Sequence, residues 1–139
     1  MEKSHLQCVS WPKHRDRLKE PITRIGNIAN DPHLYQKIDK ACSNERAFLF
    51  LIPDGFFVLW PRYINRVPYI EVTVASCHGG NAMIRYQHHI KRLAEKGNAS
   101  FIEFLTARKG FDKLAPKHGW RRFGAHNGLS VWRYFIRGE

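Results

Sequence analysis

The sequence predicts an α/β domain, with one mixed sheet of the α+β kind carrying helices on both faces, and three observations carry that prediction. An apolar strand (Tyr69, Ile70, Val72, Val74) runs into a glycine turn and then a helix over Ala82–Lys96. In that helix Met83, Tyr86, Ile90, Leu93 and Ala94 recur at three- and four-residue steps, the spacing of one buried face. Second, Ala47–Ile52 and Phe56–Trp60 flank Pro53–Asp54–Gly55, strong turn chemistry between β-prone arms. Both arms are apolar at nearly every position, so their sheet should be covered on both faces. Third, strand and helix patterns alternate again after Gly97 and Asn98, residues that commonly end helices by tolerating a left-handed backbone.

In chain order, His5–Ser10 is a short strand ended by Trp11–Pro12. Arg15–Asn27 is a helix that Pro21 should kink or divide near Glu20. Asn30–Asp31–Pro32 starts a second helix, whose Leu34, Ile38 and Ala41 form one stripe up to about Cys42. The hairpin follows, then Pro61–Val67 as a basic, aromatic connector, then the central strand and helix. Ser100–Thr106 is a strand, Ala107–Lys117 a short helix, and Trp120–Phe123 and Leu129–Ile136 two closing strands about a turn at Ala125–Gly128. The order is β-α-α-β-β-β-α-β-α-β-β, a single domain over residues 1–139.

The 139 residues suffice for one core and not for two. A composition 43% hydrophobic and 13% aromatic is that of a globular chain. No apolar run approaches the roughly 20 residues of a membrane-spanning helix, so no transmembrane segment is expected. Met1–His5 has no apolar signal core. Cys8, Cys42 and Cys77 are odd in number and lack metal-ligand spacing, which points to reduced thiols and a cytoplasmic setting. The formal charge of +11 favours encounters with polyanions, and equally describes a solvated basic surface. Arg62, Tyr63 and Arg66, then Lys117, His118, Trp120, Arg121 and Arg122, then Arg133, Tyr134 and Arg137 interleave bases with rings. Such mixtures track nucleic acid or snorkel beside a core.

The turn at Cys77–Asn81 opens the long helix. Unpaired N–H groups and the helix dipole suit that place to a phosphate, while the plain alternative is a tight strand-to-helix turn. Cys77 is a nucleophile candidate at a helix N-terminus, and His78 either binds phosphate or sits in the turn. His88 and His89 point in different directions and have no nearby ligands in sequence, so no metal site is expected.

The order of elements resembles the GNAT (Gcn5-related N-acetyltransferase) superfamily. That family has a Q/R-x-x-G-x-G/A turn after its fourth strand, and Cys77–Ala82 (CHGGNA) matches it at Gly80 and Ala82, with Cys77 in place of Gln or Arg. Phe111–Trp120 (FDKLAPKHGW) is similar to the family's helix ending in a Gly-Phe step, and two strands follow at the expected spacing. The resemblance implies an acyl-CoA, acetyl-CoA or another, held by Val74, Cys77, His78, Gly79, Gly80, Asn81, Ala82 and Met83. It implies an amine acceptor and Glu71 as general base, a residue that otherwise reads as a carboxylate paired to a nearby Arg. Two departures stand out. Ala115 occupies the position of the general-acid tyrosine, and Arg108 lies near the usual pantetheine-contacting asparagine. Three functions follow: an acyl-CoA-dependent N-acyltransferase; a catalytically degenerate GNAT-fold structural or ejected protein of a bacteriophage particle, virion-associated with other virion proteins; or a DNA-modifying or nucleic-acid-binding member using Arg62, Arg66, Lys117, Arg121 and Arg122.

Overall fold

The computed structural model describes residues 6–78 and 80–136. The elements are β1 (Gln7–Val9), α1 (Trp11–Ile28), α2 (Leu34–Ser43), β2 (Phe48–Ile52), β3 (Gly55–Ile64), β4 (Val67–Cys77), α3 (Ala82–Lys96), β5 (Phe101–Thr106), α4 (Lys109–Leu114), β6 (Arg121–His126) and β7 (Leu129–Phe135). The expected order of elements is thus the observed one. His5, the expected start of the first strand, lies outside the described residues.

The strands form one seven-stranded sheet, β1-β2-β3-β4-β5-β7-β6. Only β4 and β5 are parallel, and α3 connects them, as a crossover between parallel neighbours requires. Helices α1 and α2 cover one face through Leu18, Ile22, Leu34 and Ile38, which pack on Leu49, Phe56, Val58 and Val74. On the other face α3 and α4 place Met83, Tyr86, Ile90 and Phe111 on Phe57, Leu59, Val72 and Ile102. The β3 run Phe56–Leu59 alternates between these two cores and is buried throughout, which explains its unbroken apolar reading.

Local geometry departs from the sequence reading in three places. Helix α1 runs from Trp11 through Pro21 to Ile28 without division. The proline removes one bond to the carbonyl of Arg17, an exposed residue whose oxygen water can reach. The helix is anchored instead by burial of Trp11, Leu18, Ile22 and Gly26. Asp39 of α2 also accepts from the Trp11 indole N–H at 2.8 Å and from Arg15 at 2.9 Å.

The supposed connector Pro61–Val67 is a β-hairpin. β3 continues to Ile64 and β4 begins at Val67, joined by Asn65 and Arg66 at φ 50° and 69°, the left-handed pair of a two-residue turn. Pro61 is tolerated because β2 pairs β3 only as far as Leu59, leaving Pro61 on a free edge. The helix expected over Ala107–Lys117 divides into α4 and a 3-10 turn at Ala115–His118, ended by Gly119 at φ 93°.

Candidate active site: a cleft where two parallel strands part

β4 and β5 pair only from Tyr69 with Phe101 to Val72 with Phe104. Beyond that point β4 continues to Cys77 and β5 to Thr106 without facing each other across a ladder. The departure coincides with a bulge. Val58 of β3 faces Val74 and Leu59 faces Val72, so Thr73 is an extra residue in β4. A bulge bends its strand and re-aims the following side chains, and here it turns β4 away from β5.

The gap opens into a cleft of about 1150 Å³ that passes through the sheet. On the α3 side its wall is Ala82 and Met83 of α3, Gly80 and Asn81 of the preceding turn, and Arg108 to Phe111. On the α1–α2 side it is lined by Glu71, Thr73, Glu103, Val131 and Arg133, under the α1–α2 loop and the β6–β7 turn. These two turns approach each other, with Asn30 Nδ2 4.0 Å from where a Cβ on Gly128 would stand.

The turn before α3 is built from consecutive left-handed residues, Gly80 at φ 79° and Asn81 at φ 58°. Gly79 lies outside the described residues. The first N–H groups of α3, those of Ala82, Met83 and Ile84, have no intrahelical acceptor. The Gly80 N–H is not among the open ones, because it donates to Cys77 O at 3.3 Å. Cys77 is occupied within the turn. Its thiol donates to Gly80 O at 3.1 Å and accepts from Arg85 Nη1 at 3.2 Å. Arg85 also donates to Asp54, a bond that raises the guanidinium pKa. His78 is exposed and its backbone N–H donates to Asp54 O. Across the cleft the Arg108 guanidinium rests on the turn, with Nη1 2.9 Å from the position of a Cβ on Gly80. A cation thus faces the helix N-terminus where a phosphate would sit.

Glu71 lies one strand from Glu103, its register partner on β5. Glu71 accepts from Arg62 at 3.1 Å and from the Thr73 hydroxyl at 2.8 Å, while Glu103 accepts from Arg133 at 2.9 Å. Below them Tyr69 stacks on Phe101 with ring centroids 4.8 Å apart. Burial, then the carboxylates of Glu103 and Glu71, push the Tyr69 phenol above its ordinary value, so it stays neutral. Val74 is buried under α1 and α2, so its side chain faces away from the α3 wall, and only its backbone can serve a ligand there. Ala115 is wholly buried.

The residues offered for nucleic acid lie on several elements. Arg62 is engaged with Glu71 and stacks on Trp60 at 4.1 Å. Arg66 sits in the β3–β4 turn, and Lys117 in the 3-10 turn after α4. On β6, Arg121 lies over Phe135, and Arg122 donates to Gly124 O and lies over Trp132. Among the described residues no group of three or more His, Cys, Asp or Glu is placed to hold a metal. No helix among them is long and apolar enough to cross a membrane. Sequence reading missed Glu103 and Arg133 as site residues, and recorded Arg108 only as a missing asparagine. The signal for Glu103 was register: parallel pairing of the two strands sets it beside Glu71.

No family model matches the sequence, and no curated protein does. Solved structures do. FeeM, an N-acyl amino acid synthase from uncultured soil microbes, superposes with a TM-score of 0.70 at 10% identity, over 98% of this chain and 92% of that one. Aminoglycoside 6'-acetyltransferase type Ii gives 0.62 at 12% identity, over 92% and 93%. The chain has the GNAT fold, across essentially its whole length. Neither comparison adds support for a virion or nucleic-acid role.

Proposed function

We propose that the protein is an acyl-CoA-dependent N-acyltransferase. The observation that carries this reading is the parting of β4 and β5 at Thr73, which opens one cleft to both faces of the sheet. The α3 wall offers an anion cradle, and the opposite wall offers carboxylates. The two solved structures named above are described as an N-acyl amino acid synthase and an acetyltransferase, and they share this fold.

The residues fit such a ligand. The N-terminus of α3 and Arg108 would take its pyrophosphate, and the backbone groups of Thr73–Cys77 that face away from β3 would take the amides of its arm. An acyl-CoA supplies the activated thioester carbonyl. Glu71 would receive the proton shed by the acceptor amine, through water, as the nitrogen forms its bond to carbon and the thiolate leaves. Ala115 supplies no acid. A thiol with a pKa of about 8.5 departs as thiolate without one, so the absence costs rate rather than the reaction.

Titration calorimetry with CoA tests the reading. Saturable binding in the micromolar to millimolar range is expected, weakened by Arg108→Ala. No heat at millimolar CoA, with the protein folded, would overturn it.

A further inference from the structure

The wall opposite α3 carries carboxylates that are each already matched by a cation. Asp31 pairs with Lys37 at 3.1 Å, Glu71 with Arg62 at 3.1 Å, and Glu103 with Arg133 at 2.9 Å. A polycationic acceptor would meet no uncompensated negative charge there, and would face the basic charge of the whole chain as well.

Arg133 differs from the other cations of this wall. Its Nε alone is used, on Glu103, and within the described residues its two Nη groups make no hydrogen bond. Their atoms are not sealed from solvent, and the residue lines the cleft. The guanidinium plane is held between the rings of Phe101 and Phe123, at 4.4 and 4.6 Å. A planar fork fixed on two sides, with its outer edge free, is preorganised for a carboxylate. It leans onto Glu103, about one strand spacing of 4.8 Å from Glu71. A molecule bridging the two would carry its amine and its acid only a few ångströms apart.

From this we infer that the acceptor is a primary amine bearing a carboxylate close to the nitrogen, an amino acid in chemical class, and that Arg133 recognises the carboxylate while Glu71 faces the amine. The inference rests on the transferase reading. It adds the substrate class and a specificity residue.

Saturation-transfer NMR on the protein with CoA present is the test, using a pool of free L-amino acids, the matching pool of amino acid amides, and spermidine. Free amino acids should bind, and the amides should bind about ten- to a hundredfold more weakly, the factor for losing one charge-assisted pair. Arg133→Gln should remove the preference, whereas Glu103→Gln, which frees Nε as well, should keep it. Circular dichroism and CoA calorimetry show that each variant is folded. Equal binding of amides, tighter binding of spermidine, or an unchanged preference in Arg133→Gln would each overturn the assignment. A wild-type protein that fails to bind CoA would overturn the transferase reading itself, and this inference with it.

Discussion

Val72 and Val74, two residues apart on one strand, point into opposite cores: Val72 packs beneath α3 and Val74 beneath α1 and α2. In a regular strand they would share a face. Thr73 alone produces the switch, and the same residue marks where β4 leaves β5.

Deleting Thr73 leaves Val72 and Val74 adjacent, and adjacent residues of a regular strand already point to opposite faces, so both cores and the pairing with β3 are kept and only the bulge is lost. The expected outcome is a folded protein whose β4 no longer bends away from β5, with weaker CoA binding. Thr73→Val keeps the bulge and loses only the hydroxyl bond to Glu71, so it should fold, cost about 1 kcal/mol and keep its CoA affinity. Thermal melts and CoA calorimetry on the two proteins make the comparison.

Gly80→Val places a branched side chain at φ 79° against Arg108. A left-handed backbone costs a non-glycine residue about 1–2 kcal/mol, and the side chain fills the cradle. Calorimetry should show CoA affinity lowered by about tenfold or more. Gly110→Ala is the control: a Cβ there meets nothing within 4 Å, so stability should rise slightly or hold.

Glu71→Gln keeps the shape of the side chain and removes the base. Thiol release from acetyl-CoA with an amine acceptor should fall by about 10² to 10⁴, while CoA affinity holds, since Glu71 lies on the opposite wall. An unchanged rate would move the role of base elsewhere.

Cys42 is buried, and burial, with Asp39 second, pushes its thiol up to about 12 from an ordinary 9.0. A group that holds its proton more tightly when folded contributes nothing below 9.0, and its burial costs stability as pH rises from there towards 12. Urea titrations at pH 8 and pH 10 should differ by about 1 kcal/mol through this group, a difference that Cys42→Ala abolishes. A thiol reagent at pH 8 should label exposed Cys8 and leave Cys42 untouched.

Much of this architecture was legible because two periods were clean. Helix α3 shows its stripe at three- and four-residue steps, and the arms around Asp54–Gly55 admit no reading but strands. The errors share a cause: local signals were overruled by distant contacts. Pro21 reads as a break, yet Trp11, Leu18 and Ile22 have a core to pack against, which holds the helix straight through. Asn65–Arg66 lacks the glycine of a familiar hairpin turn, so a continuous ladder looked like a connector. The α3 wall of the cleft was visible as Gly80–Met83 because it is contiguous. Of the opposite wall only Glu71 was named, through the family resemblance; Glu103 and Arg133 were not, because the three residues come from three strands. Each in isolation reads as a polar residue on an alternating strand; only register puts them side by side.

The middle of the sheet stops after four paired residues on each side, leaving two partial sheets held by a short seam, with facing rows of backbone donors and acceptors beyond it. A ligand with amides of its own can supply the missing rungs. Occupancy of the cleft and the integrity of the sheet then become one quantity: whatever binds there closes the seam, and unbinding reopens it. Those amides of Thr73–Cys77 and Leu105–Thr106 that face the gap, rather than β3 or β7, should exchange with solvent faster than those of Tyr69–Val72, and slow together when the gap is filled.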